Sequence, residues 1–238
     1  MAVRSSWLAA LLALVLWHQD PASKPAPDAA ALPPVVKPYQ LNFRAESFHL
    51  ADLAGADHPL CGDGEDKGKA LLLCFFSFRD PVSRAYVPAL SELQAKNKER
   101  LSVYLVDSNC DELVGGGNDP LEALRRYAAD EKLALPILID KENRVADDFR
   151  ATANAQVFLL DAGHVLRYFG GIDDDPGGLR RKKKLPVTKW LEPALEIVLA
   201  GNRPEFNWTR TGGRPIKRAP KGQAAAEPET KAEPKKDG

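Results

Sequence analysis

Residues 69–78 read KALLLCFFSF, an apolar run with no alternation of polar and apolar positions. A strand with one wet face alternates, so a short unbroken run bounded by polar residues predicts a strand covered on both faces. Asp80-Pro81 follows directly, and Asp is a strong helix N-cap while proline suits the first helical position. Val82, Tyr86, Leu90 and Leu93 then recur at helical spacing within 81–97. A doubly covered strand feeding a helix is half of a βαβ unit, which commits the chain to a layered α/β architecture.

The remaining segments extend that unit. Residues 101–106 (LSVYLV) supply the next strand. Asn118-Asp119-Pro120 predicts the start of a second helix, with Glu122 in its first turn and an apolar stripe through Leu121, Leu124, Tyr127 and Ala128. Residues 135–139 read as a short strand, and 156–160 and 165–169 flank the turn sequence DAGH as a hairpin. A last helix over 188–199 ends near Gly201, which suits a left-handed cap. The predicted order is a parallel βαβ unit, a crossover helix, an antiparallel hairpin and a closing helix, giving a central mixed sheet flanked by helices.

At the start of the chain, Arg4 precedes the apolar run 7–17 (WLAALLALVLW), which is short for a bilayer span and predicts an export signal over 1–20. The small-x-small pattern suited to cleavage is clean only at Ala29 to Ala31, so an uncleaved anchor remains an alternative and is the one membrane contact expected. Residues 21–38 are rich in Pro and Ala and read as a linker, 39–214 as the folded domain. Residues 215–238 carry no large apolar side chain after Ile216, so a disordered tail is expected.

Lys plus Arg and Asp plus Glu are both 33 among 238 residues, so no net charge steers the chain toward nucleic acid or acidic partners. The basic run 180–184 (RRKKK) lies just after Asp173 to Asp175 and reads as a solvated loop. Gly115-Gly116-Gly117 lacks the Lys and Ser/Thr of a phosphate loop. Cys61, Cys74 and Cys110 show neither CxxC nor metal-ligand spacing, and four scattered His add none, so neither metal nor cofactor is expected.

Four segments in order, 77–93 (SFRDPVSRAYVPALSEL), 106–110 (VDSNC), 135–174 and 211–216 (TGGRPI), resemble the redoxin or alkyl hydroperoxide reductase/thiol-specific antioxidant branch of the thioredoxin superfamily, in its exported bacterial form. The resemblance covers roughly 48–216 and implies a thioredoxin-like fold. In that family a cysteine immediately precedes the proline of the "PVS...Y.P.L..L" pattern. Here Asp80 stands there, beside a retained Pro81, and a carboxylate cannot carry thiolate attack on a peroxide or disulfide. Relatives usually place a proline, commonly cis, just before the strand at 157. Here Asn154-Ala155-Gln156 stands in its place, so a trans, reshaped loop is expected. Where relatives often carry a cysteine in the closing segment, this chain has Gly213-Arg214-Pro215. Asp80, Pro81 and Ala155 are therefore vestigial active-site positions.

Asp80 has two readings, an N-cap or a catalytic carboxylate in the old pocket, and the cap is a sufficient account of it. Cys74, inside the apolar strand, reads as a buried, inert thiol. Cys110 follows the strand 101–106 and should share the carboxyl edge of the sheet with Asp80, as a candidate surrogate redox thiol. Cys61, in the polar insertion 58–68, pairs with it if that loop folds over the same edge. The expected function is a non-catalytic binding or scaffold role with a protein partner. The alternative is a thiol-disulfide oxidoreductase or peroxidase working through Cys110 and Cys61.

Overall fold

The computed structural model describes residues 39–64, 66–113 and 119–220. The expected signal, the linker, Gly115 to Gly117 with Asn118, and all of the tail beyond 220 lie outside these residues. Among the described residues no helix is long and apolar enough to cross a membrane.

The run that opened the sequence reading becomes β3 (Ala70–Phe76), buried at every position. Ala70, Leu72, Cys74 and Phe76 enter one apolar cluster, and Leu71, Leu73 and Phe75 a second on the opposite face. Each fully buried Leu or Phe contributes about 1.5–3 kcal/mol, so this strand anchors both layers. It pairs in parallel with β4 (Leu101–Asp107) and antiparallel with β6 (Val157–Leu160). Beyond β4 lies β5 (Ile137–Ile139), and beyond β6 lies β7 (Leu166–Gly170). An N-terminal hairpin, β1 (Phe48–Asp52) and β2 (Asp57–Leu60), adds to the β5 edge, so the full order is β2-β1-β5-β4-β3-β6-β7.

The helices cover the sheet as the strand order demands. α1 (Pro81–Asn97) joins β3 to β4 and buries Tyr86, Val87 and Leu90, while α2 (Cys110–Leu113) and α3 (Glu122–Asp130) lead from β4 toward β5. α4 (Arg144–Asp148) packs Val145 on the second face, together with the adjacent Phe149. After β7 come α5 (Leu179–Lys182) and α6 (Leu191–Leu199), which buries Leu191 and Leu195 in the first cluster. Gly201 follows α6 at φ +77, with bonds from its N–H to Val198 and from Asn202 N–H to Ile197 that close the helix end. The mixed sheet flanked by helices is thus as predicted.

Two boundaries shift. α3 starts at Glu122, and Asp119 Oδ1 accepts from Leu121 N at 3.0 Å. The domain also runs past 214, because Pro215 bridges to Ala153 and Ile216 is buried in the second cluster. Arg218 donates to Asp147 Oδ1 at 2.7 Å and Ala219 N to Asn143 Oδ1 at 2.9 Å. The composition of 215–219 conceals this, since one apolar side chain and a set of backbone bonds hold the segment, and backbone groups carry no sequence signature.

Candidate functional site

The carboxyl ends of β3 and β4, the start of α1 and the loop before β6 converge at one edge of the sheet. Asp80 is the N-cap of α1 in extended conformation, with Oδ1 accepting from Val82 N at 3.1 Å and Pro81 at the helix start. Its Oδ2 accepts from Arg214 N at 3.1 Å, and the residue is 1% exposed. Ser77 Oγ accepts from Asp80 N at 3.1 Å and donates to Glu112 Oε1 at 2.5 Å. Each oxygen of this buried carboxylate therefore accepts one backbone N–H.

Ala155 lies within the same edge, buried, at φ +58, and donates from its N–H to Phe75 O at 2.7 Å. A left-handed alanine is the reshaping that the missing proline foretold, held in place at a cost of about 1–2 kcal/mol. Residues 211–219 then cross this edge as a strap. Asn154 N donates to Arg214 O at 2.8 Å, Ile216 N to Thr152 O at 3.1 Å and Lys217 N to Asn109 Oδ1 at 3.1 Å. A Cβ on Gly213 would come within 1.8 Å of Asn154 O and 3.0 Å of Asp80 Oδ2, so only glycine admits the strap this close.

Cys110 is at this edge, as expected. It is half-buried, its N–H donates to Lys217 O at 2.8 Å, and its Sγ donates to Arg218 O at 3.2 Å. The expected approach of Cys61 is corrected. Cys61 neighbours Asp66, which precedes β3, and His164, in the β6–β7 turn that the Leu71–Leu160 pairing sets beside the beginning of β3. Cys110 instead follows Asp107, the partner of Phe76 at the end of β3. The length of β3, roughly 20 Å, separates the two thiols. The loop 58–68 does not fold over the active edge because its thiol is buried in the second cluster. All three cysteines are free.

Several site residues were not anticipated. Asp107 and Asn109 are buried, with Asn109 Nδ2 donating to Phe76 O at 3.0 Å, Asp107 Oδ1 at 2.9 Å and Asn154 Oδ1 at 3.1 Å. Burial first, and the charge of Glu112 second, push the Asp107 carboxyl well above its ordinary value. Its Oδ2 is buried without a hydrogen-bond partner, which fits a carboxyl held toward its neutral form. The signal in the sequence is the polar Asp107-Ser108-Asn109 at the carboxyl end of a mostly apolar strand, the position where open α/β sheets place their sites. The RRKKK run is exposed as expected but begins within the short helix α5 instead of a loop, and Arg181 pairs with Asp173 and Asp175.

Chemically, this edge holds carboxyl groups and amides, and its one sulfur is engaged with the strap. A groove of about 350 Å3 lined by Tyr39, Phe149, Phe158 and Phe169 lies on the second face and includes none of Asp80, Ala155 or Cys110.

Residues 42–169 match the model of the AhpC/TSA family. Among solved structures, the chain is similar to a hypothetical protein from Sinorhizobium meliloti 1021, with 24% identity, a TM-score of 0.62 and coverage of 78% of this chain and 96% of that one. It is also similar to an uncharacterized conserved protein from Geobacillus kaustophilus, with 22% identity, a TM-score of 0.63 and coverage of 76% and 94%. A third match is the pneumococcal exposed lipoprotein thioredoxin from Streptococcus pneumoniae strain TIGR4, at 18% identity, TM-score 0.45 and coverage of 58% and 98%. No curated protein sequence matches significantly.

Proposed function

The chain belongs to the AhpC/TSA family, with a thioredoxin-like fold, and from that premise we propose that it is an exported binding protein which keeps the fold as a scaffold without thiol catalysis. The observation that carries this reading is the double engagement of Asp80: the position where relatives place their nucleophile holds a buried carboxylate bonded to Val82 N and Arg214 N. A helix N-terminus activates a thiol because its free N–H groups favour the thiolate. Here those donors serve a cap, and the strap 211–219 lies over the entrance. Export rests on Arg4 and the apolar run 7–17. A protein partner is supported by Trp208 and Phe206, 63% and 41% exposed, since aromatic residues are enriched at protein interfaces.

The competing enzyme reading rests on Cys110, whose half-buried thiol shares the edge with Asp80. Its sulfur is engaged with Arg218 O of the strap, and no second cysteine lies within reach of it. The purified protein is expected to reduce insulin disulfides and consume hydrogen peroxide only at background rates. Turnover that disappears in Cys110→Ser would replace the scaffold reading with the enzyme. For export, residues 1–38 fused to a reporter active only outside the cytoplasm should yield signal, and a silent fusion would count against it.

A further inference from the structure

The opposite end of the sheet holds a cluster that the scaffold reading leaves unused. Cys61 follows β2, Asp66 lies ahead of β3, and His164 sits in the β6–β7 turn. One ligand atom from each, a sulfur, a carboxylate oxygen and an imidazole nitrogen, lies within 4.8 Å of the other two. All three residues are buried, at 7%, 0% and 8% exposure. His164 Nε2 is 3.1 Å from Asp66 Oδ2 but without hydrogen-bond geometry, and neither that nitrogen nor Asp66 Oδ1 has a hydrogen-bond partner. Buried orphan atoms of this kind are rare and costly, and two of them in side chains clustered with a thiol call for an occupant.

Two readings can be weighed. A nucleophilic Cys-His-Asp arrangement needs an imidazole oriented by hydrogen bonds, and His164 Nε2 makes none. A divalent cation satisfies all three groups at once, offsetting the carboxylate and displacing the thiol proton.

We propose that Cys61 Sγ, Asp66 and His164 Nε2 form a binding site for a zinc-class divalent ion. Binding replaces the S–H bond of Cys61 by an S–metal bond and releases one proton to solvent, with no change of oxidation state. In a tetrahedral zinc site with metal–ligand distances near 2.0–2.3 Å, neighbouring ligand atoms are about 3.3–3.6 Å apart. The 3.1 Å between His164 Nε2 and Asp66 Oδ2 is already close to this, and no remaining edge exceeds 4.8 Å. The donor set of thiolate, imidazole and carboxylate selects zinc over magnesium or calcium, which take oxygen ligands. Three protein ligands leave the fourth corner open. Cys61 N donates to Asp66 Oδ2 at 2.9 Å, so the carboxylate is oriented before any ion arrives. Cys61 and His164 are both left-handed, at φ +57 and +58, conformations that glycine adopts at less cost, and His164 directly follows a glycine in its turn.

The test uses the full chain, stripped with a chelator and titrated with cobalt(II) and then zinc(II). One equivalent of cobalt should give the visible bands of a tetrahedral ion and a thiolate-to-cobalt charge-transfer band, both removed by zinc. Cys61→Ser should abolish the charge-transfer band and weaken binding at least tenfold, while Cys110→Ser leaves both unchanged. Zinc in 100-fold excess over its Kd should raise the melting temperature by roughly 5–10 °C. His164→Asn, which tolerates the left-handed backbone, serves as a second variant should Cys61→Ser fail to fold, and it too should bind at least tenfold more weakly. Absence of the charge-transfer band in the unmodified chain, or its loss in Cys110→Ser, would overturn the proposal, as would its survival in Cys61→Ser.

Discussion

At Asp80 one carboxylate accepts from Val82 N and from Arg214 N, which lies 134 residues further along the chain. Asp80→Ala removes the cap, about 1 kcal/mol, and strands the Arg214 donor, about 1–3 kcal/mol more. Asp80→Asn keeps one acceptor oxygen, and urea unfolding should show it losing no more than about half as much. Ala155→Pro is expected to cost about 3 kcal/mol or more, because proline cannot adopt φ +58 and lacks the N–H given to Phe75 O. Restoring the family's residue alone therefore does not restore the family's loop, and a folded Ala155→Pro variant of native stability would contradict this geometry. Asp107 carries a pH signature: its carboxyl is raised in the folded state, so the native chain holds a proton that the unfolded chain has released. Its contribution is fully present below the unfolded value near 3.8 and is lost as pH climbs toward the folded value. Asp107→Asn, which keeps an oxygen for Asn109, should lose less stability than the unmodified chain as pH rises from about 4 in paired denaturant titrations. The cap at Asp80 was legible because Asp-Pro ahead of a helix is a local signal. Its second bond and the Asp107–Glu112 pair were not, because burial and partners from distant segments are properties of the fold.

Among the elements, β3 and α1 were legible almost to the residue, since a doubly buried strand and an Asp-Pro helix start depend only on neighbours in sequence. The β1–β2 hairpin was not: its strands are only five and four residues long, and polar Asp52 and His58 take two of the more buried positions, so the apolar period of two is blurred in the sequence. The last part of the strap, 215–219, was read as tail because Ile216 is its one large apolar residue. Cutting the chain after Arg210 removes that burial, about 1.5–3 kcal/mol, together with the bonds to Thr152, Asn154, Asn109 and Asn143. A melting temperature lower by roughly 10 °C is expected from calorimetry, whereas a cut after Pro220 leaves every one of these contacts and is the control. Equal melting temperatures for the two truncations would remove the strap from the fold.

For the whole molecule, the mixed sheet flanked by helices was legible from the alternation of segments, while the place of Cys61 was not, since topology decides which edge a loop reaches. Cys61 and Cys74 are buried, the Cys74 thiol pushed up to about 12 by burial alone, and Cys110 is half-buried. An aromatic disulfide reagent should therefore titrate about one thiol in the native metal-free protein and all three after unfolding, with the single native reaction lost in Cys110→Ser. Fast native labelling of Cys61 would contradict its burial. The strap also has a consequence for biogenesis. A polypeptide emerges N-terminus first, so Asp80, Asn109 and Asn143 wait, their edge uncovered, until 211–219 follow from the machinery of synthesis. Contacts joined across more than a hundred residues form late, and until then the nascent sheet offers its open edge to whatever meets it first.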